Sequence, residues 1–170
     1  RRSSDLITHD MVLNGRIDHI DIGTETSVWI VDCTTLVELP CWPNVEEVYC
    51  WNCPGLVTLP CWQNLTKIWC GNCPGLTRLP CWPNVKEVNF QNCPGLMTLP
   101  NWPSVIEVFC RNCPGLMTLP NWLYVKYVNC SNCRSLLSLP YWPNVKKVWC
   151  DNCTRLLFIP NWPHTVDIHC

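Results

Sequence analysis

Cys50, Cys53, Cys70 and Cys73 form C-x2-C, a gap of sixteen residues, and C-x2-C again. Four thiolates at that spacing suit a tetrahedral zinc ion, and cysteines in general also suit iron–sulfur clusters or disulfides. The chain carries 16 cysteines in 170 residues, a density that marks disulfide scaffolds among short secreted chains. Position separates these chemistries. Cysteine recurs at 33, 53, 73, 93, 113, 133 and 153, so the zinc spacing follows from a 20-residue period. The column three residues earlier reads Ile30, Cys50, Cys70, Phe90, Cys110, Cys130, Cys150 and Cys170. Isoleucine and phenylalanine ligate nothing, so that column reads as small apolar packing. The Cys53 column follows the strand, where a small polar group bonds turn backbone. Packing is the favoured reading, with metal ligation and inter-coil disulfides as alternatives. A third column, Cys41, Cys61 and Cys81, becomes Asn101, Asn121, Tyr141 and Asn161, a tolerance that implies partial exposure. Mostly reduced thiols imply an intracellular place of folding.

No catalytic set accompanies the thiols. His9, His19, His164 and His169 fall on no recurring site beside a nucleophile and an orienting acid. No glycine loop for phosphate is present. The expectation is a non-enzymatic protein without a cofactor. The sequons at Asn64 and Asn152 read as arm and turn positions rather than glycosylation sites.

A second set of residues suits recognition. Along one strand face run Trp29, Tyr49, Trp69, Asn89, Phe109, Asn129, Trp149 and His169. Aromatic side chains bury large areas at low entropic cost and concentrate in binding hot spots. Beside them run Ser27, Glu47, Lys67, Glu87, Glu107, Tyr127, Lys147 and Asp167, a mixed polar rim. The expected partner-binding residues are Trp29, Tyr49, Trp69, Phe109 and Trp149, with Glu47, Lys67, Glu87 and Lys147 on the rim. Cross-strand stabilisation of the sheet is the competing reading of the same aromatics.

The elements that position these columns follow from the repeat L-P-x-W-P-N-V-x-x-V-x-C-x-N-C-P-G-L-x-x. Val48 and Cys50 share one strand face and Tyr49 takes the other. Asn52-Cys53-Pro54-Gly55 is a turn sequence. Pro43 and Pro60 exclude a long helix, so an extended arm returns the chain. Tryptophan at 42, 62, 82, 102, 122, 142 and 162 reads as core, with an indole N–H that needs a partner. One such unit cannot bury its apolar side, so units stack into a parallel solenoid. Eight strands are expected, centred near Val28, Val48, Ile68, Val88, Val108, Val128, Val148 and Ile168. Residues 1–24 read as a cap, with a β-hairpin joining the Ile17–Ile22 and Ser27–Ile30 alternations. Residues 25–170 read as the solenoid, its last coil covered by further chain or another subunit.

V-x-x-V-x-C-x-N-C-x-x-L resembles the leucine-rich-repeat core, and L-P-x-W-P resembles the arm of the 20-residue bacterial-effector type. The spacing around the ladder cysteine is similar to that of the cysteine-containing subtype. The resemblance implies a horseshoe whose parallel sheet lines a concave surface. Repeats of this style also resemble the Cys- and Trp-rich repeats of large DNA viruses of amoebae.

Net charge is -1, from 12 Lys+Arg and 13 Asp+Glu, which removes the electrostatic argument for nucleic acid. No apolar run is long enough to span a bilayer. The expected function is a protein-interaction module binding through the aromatic face. The alternatives are a structural component of a large assembly such as a virus capsid, and a metal-binding or redox-active protein. The expected location is intracellular or in a virion.

Overall fold

The alternation around each V-x-C triplet extends the backbone, and the proline-rich arm carries it back for the next pass. The computed structural model describes residues 6–8, 11, 15–18, 20–162 and 167–170. Among the described residues, nine strands lie side by side in chain order in one parallel sheet. They are β1 (Leu6–Ile7), β2 (Ser27–Val31), β3 (Glu47–Trp51), β4 (Lys67–Gly71), β5 (Glu87–Asn89), β6 (Glu107–Phe109), β7 (Tyr127–Asn129), β8 (Lys147–Trp149) and β9 (Asp167–His169). From β2 onward the register pairs residues 20 apart, as in Val48 opposite Ile68. The chain is therefore a β-solenoid of about eight turns.

Among the described residues, no antiparallel strand pairs with β2 as the expected hairpin requires. β1 lies parallel to β2, with Leu6 opposite Trp29 and Ile7 opposite Ile30. β3 occupies the other edge of β2, which leaves that strand no edge for an antiparallel partner. Ile17 and Ile22 lie outside any strand and are buried in the core. They belong to the arm of a first, longer coil, tied to the next arm by Val37 N–H donating to the Gly15 carbonyl at 2.9 Å. Ile20 and Val28 are only eight positions apart, too few for a coil, but the preceding strand starts at Leu6 instead.

Inside each coil, the two inward strand residues meet the ladder cysteine, two leucines and the tryptophan. The indoles stack from coil to coil, with centroids 5.9–6.4 Å apart and planes within 15°. From Trp62 to Trp162, each Nε1–H donates to the carbonyl of the arm proline 22 residues earlier, at 2.9–3.3 Å. The proline thus serves twice. Its ring holds the arm extended, and its carbonyl receives the buried indole.

The turn after each strand places Asp32, Asn52, Asn72, Asn92, Asn112, Asn132 and Asn152 at φ of 54–63°. Asparagine and aspartate tolerate this left-handed conformation better than other side-chain-bearing residues. Their side chains also bond between coils, as in Asn92 Nδ2 donating to Asn72 Oδ1 at 2.8 Å. Gly75 keeps neighbouring turns close, since a Cβ there would lie 2.6 Å from the Pro54 carbonyl oxygen.

Candidate functional site

The outward face of the sheet divides into three aromatic groups. At the N-terminal end, Trp29 stacks on Tyr49 with centroids 3.9 Å apart, and Trp69 meets Tyr49 edge-on at 5.6 Å. Phe109 faces Asn89 and Asn129 across the sheet. Trp149 stacks on His169 at 6.1 Å. The five expected aromatics therefore share one face without forming one file, because asparagine interrupts it twice.

The rim residues hold the rings in place. Glu87 accepts the Trp69 indole N–H at 2.7 Å and pairs with Lys67 at 3.0 Å. The Lys67 ammonium lies 4.5 Å from the centroid of Trp69, within reach of a cation–π interaction. Glu47 accepts the Tyr49 hydroxyl at 2.9 Å. Lys147 lies 4.9 Å from the Trp149 ring and pairs with Asp167 at 2.7 Å, which holds that carboxyl below its usual range. Asn89 Oδ1 is buried on this face with no hydrogen-bond partner among the described residues.

The N-terminal aromatics border an apolar hollow of about 320 Å³, lined by Leu6, Trp29, Val31, Tyr49, Trp51 and Trp69. Leu6, Val31 and Trp51 were not among the residues expected from sequence. Leu6 lies beyond the repeat, and Trp51 sits one place past the inward cysteine. A signal for Trp51 exists at Gly71, its register partner. The Trp51 ring occupies the space above that glycine, where a Cβ would lie 2.2 Å from Cζ3.

The thiols fall into two arrangements. In the later coils the ladder thiol donates to the carbonyl just past the strand of the preceding coil, as Cys113 to Phe90 at 2.8 Å and Cys133 to Cys110 at 3.0 Å. This is the backbone role expected for the column. Burial pushes the Cys113 thiol up to about 12. In the coils of β3 and β4 the sulfurs of Cys50, Cys70 and Cys73 converge within 4.8 Å of one another. Cys53 shares thiol hydrogen bonds with Cys33, Cys50 and Cys73, and these lower it. Bonds from Cys50 and Cys73 lower Cys70 to about 6. Cys41, Cys61 and Cys81 are exposed, as their tolerance implied. At the C-terminal end Cys150 and Cys170 are joined as a disulfide, with Cα atoms 4.6 Å apart. The other fourteen cysteines form no disulfide.

A further feature escaped the sequence reading. The residue after the first arm leucine is exposed and apolar at Val37, Val57, Met97, Met117, Leu137 and Leu157. These form a stripe along the arm face, interrupted by Thr77, with Met97 61% exposed and Leu157 86%. The signal is a column in the 20-residue alignment that is hydrophobic yet follows a core leucine directly. A groove of about 670 Å³ runs along the Asn–Pro turns. Several of its asparagine amides already bond one another.

His169 stacks at the end of the sheet face, while His9, His19 and His164 lie outside the described residues. No helix among the described residues is long and apolar enough to cross a membrane. Comparison with known proteins finds no protein-family model that matches this chain and no match among curated proteins.

Proposed function

We propose that the protein is a non-enzymatic interaction module that binds a protein partner through the outward face of its sheet. The observation that carries this is the apolar hollow walled by Trp29, Tyr49, Trp51 and Trp69. Its volume falls at the lower end of ligand-sized pockets, about 300–1,000 Å³. Such a hollow suits a large apolar or aromatic side chain projecting from a partner, with Lys67 and Glu87 close enough to orient polar groups around it. Aromatic walls fixed by hydrogen bonds lose little freedom on binding, which favours affinity.

The test is co-purification of a partner from the native source, followed by measured affinities for variants. Trp69→Ala is expected to weaken binding at least tenfold, an energy of about 1.4 kcal/mol, with little change in melting temperature. Lower stability with unchanged affinity overturns the reading.

A second reading, a structural component of a large assembly, is favoured by the arm stripe. Its apolar side chains are exposed on a chain with a net charge of only -1, and low net charge opposes association weakly. Sedimentation at rising concentration separates the two readings. A monomer at high concentration argues against an assembly component, whereas association lost in Met97→Glu and Met117→Glu supports it.

A further inference from the structure

We propose that Cys50, Cys53, Cys70 and Cys73 bind one Zn²⁺ inside the solenoid, between the coils that contain β3 and β4. The spacing alone does not carry this, because Cys110, Cys113, Cys130 and Cys133 repeat it. The sulfur geometry does. Cys113, Cys133 and Cys153 each donate to a carbonyl 23 residues earlier, just past the strand of the preceding coil, at 2.8–3.0 Å. Cys53 and Cys73 instead donate only to the carbonyl two residues earlier in their own coil, Trp51 at 3.5 Å and Gly71 at 3.3 Å. Their sulfurs turn towards the neighbouring thiols, and Cys50, Cys70 and Cys73 lie within 4.8 Å of one another. Tetrahedral zinc with Zn–S bonds of ~2.3 Å places sulfurs ~3.8 Å apart, so for Cys50, Cys70 and Cys73 ligation asks for a contraction of about 1 Å or less, and Cys53, which interacts with Cys50 and Cys73 from the side, would swing in as the fourth ligand.

The surroundings also define a single site. Cys50 and Cys70 are register partners on adjacent strands. Ile30 precedes them in the same column and Phe90 follows, both buried. Neither ligates metal, so the inward column offers sulfur only from Cys50 and Cys70 here, and Cys33, beside Cys53, is a further thiol bordering the four. Each thiol that ligates releases its proton to solvent, and the dication offsets the thiolate charge that burial alone would forbid. Zn²⁺ fits this soft, all-sulfur set better than a hard cation, which prefers oxygen.

The test uses the full chain produced in medium supplemented with Zn²⁺ or Co²⁺, desalted, and assayed for bound metal. The expected content is about one ion per chain. The Co²⁺ form should show thiolate charge-transfer bands and the intense ligand-field absorption of tetrahedral cobalt. Cys70→Ala with Cys73→Ala should abolish that absorption. Cys130→Ala with Cys133→Ala, at the same spacing, should retain it. Absence of bound metal or of the tetrahedral thiolate spectrum in the unmodified chain overturns the proposal, whether or not either variant folds. Equal loss in both folded double variants overturns it as well.

Discussion

A thiol is a weak donor, yet the ladder column uses it in seven successive coils. The space beneath each turn is closed, and the ladder sulfur there reaches backbone carbonyls. Size and donor capacity are both constrained at that position. Cys113→Ser should retain the donor, whereas Cys113→Leu should cost about 1–3 kcal/mol through overpacking. Chemical denaturation of both variants checks the order, and a less stable serine variant contradicts the donor role. The same burial makes stability pH-dependent. Cys113 is raised to about 12 from an ordinary value of 9.0. A raised thiol contributes fully below about pH 9, and its contribution is lost as pH climbs towards 12. Melting temperature should therefore fall above about pH 9, and less steeply in Cys113→Ala. Two inert replacements, Ile30 and Phe90, made the packing role of the inward column legible. The spacing also suggested that neighbouring coils bring sulfurs together, and Cys50, Cys70 and Cys73 converge; what was not legible is that the later ladder thiols face carbonyls instead, because thiol rotamers depend on what the neighbouring carbonyls accept.

Each coil combines a short strand, a left-handed turn and an extended arm, and the tryptophan joins one arm to the next. Trp82 is fully buried, stacks on Trp62, Trp102 and Phe90, and donates to the Pro60 carbonyl at 2.9 Å. Trp82→Ala should cost about 3–5 kcal/mol, and a near-neutral result in a denaturant titration would contradict that packing. Strand β4 supplies a subtler handle. Gly71→Ala should displace the Trp51 ring and reshape the hollow with little loss of stability, since the ring end is free to move. Binding by the variant and tryptophan emission report the shift, and unchanged values of both would show that Trp51 contributes no wall. Strands β2 to β9 were legible from V-x-C alternation at a fixed period. β1 was not, because Leu6-Ile7 is too short to show alternation and lies 23 positions before its partners Trp29 and Ile30.

The whole molecule is a one-dimensional array in which each coil meets only its neighbours, so stability should vary along its length. Coils at the centre are covered on both sides, whereas Leu157, Phe158 and Ile168 at the C-terminal end are exposed. Amide hydrogen exchange should be slowest in β4–β7 and faster in β9. Reduction of the Cys150–Cys170 bond should accelerate exchange in residues 167–169 and leave β4–β7 unchanged. Uniform protection would show that the array unfolds as one unit. The repeat made this architecture readable before any side chain was placed. The arm stripe and the hollow were harder to see, since exposure depends on how coils stack. The tryptophan file has one more consequence. Seven near-parallel indoles at close, regular intervals have transition dipoles that couple. The protein should show an exciton-split circular dichroism signal in the indole bands and rapid depolarisation of its emission. Unstacking of an internal coil would divide the chromophore array, so light absorption alone would count intact coils.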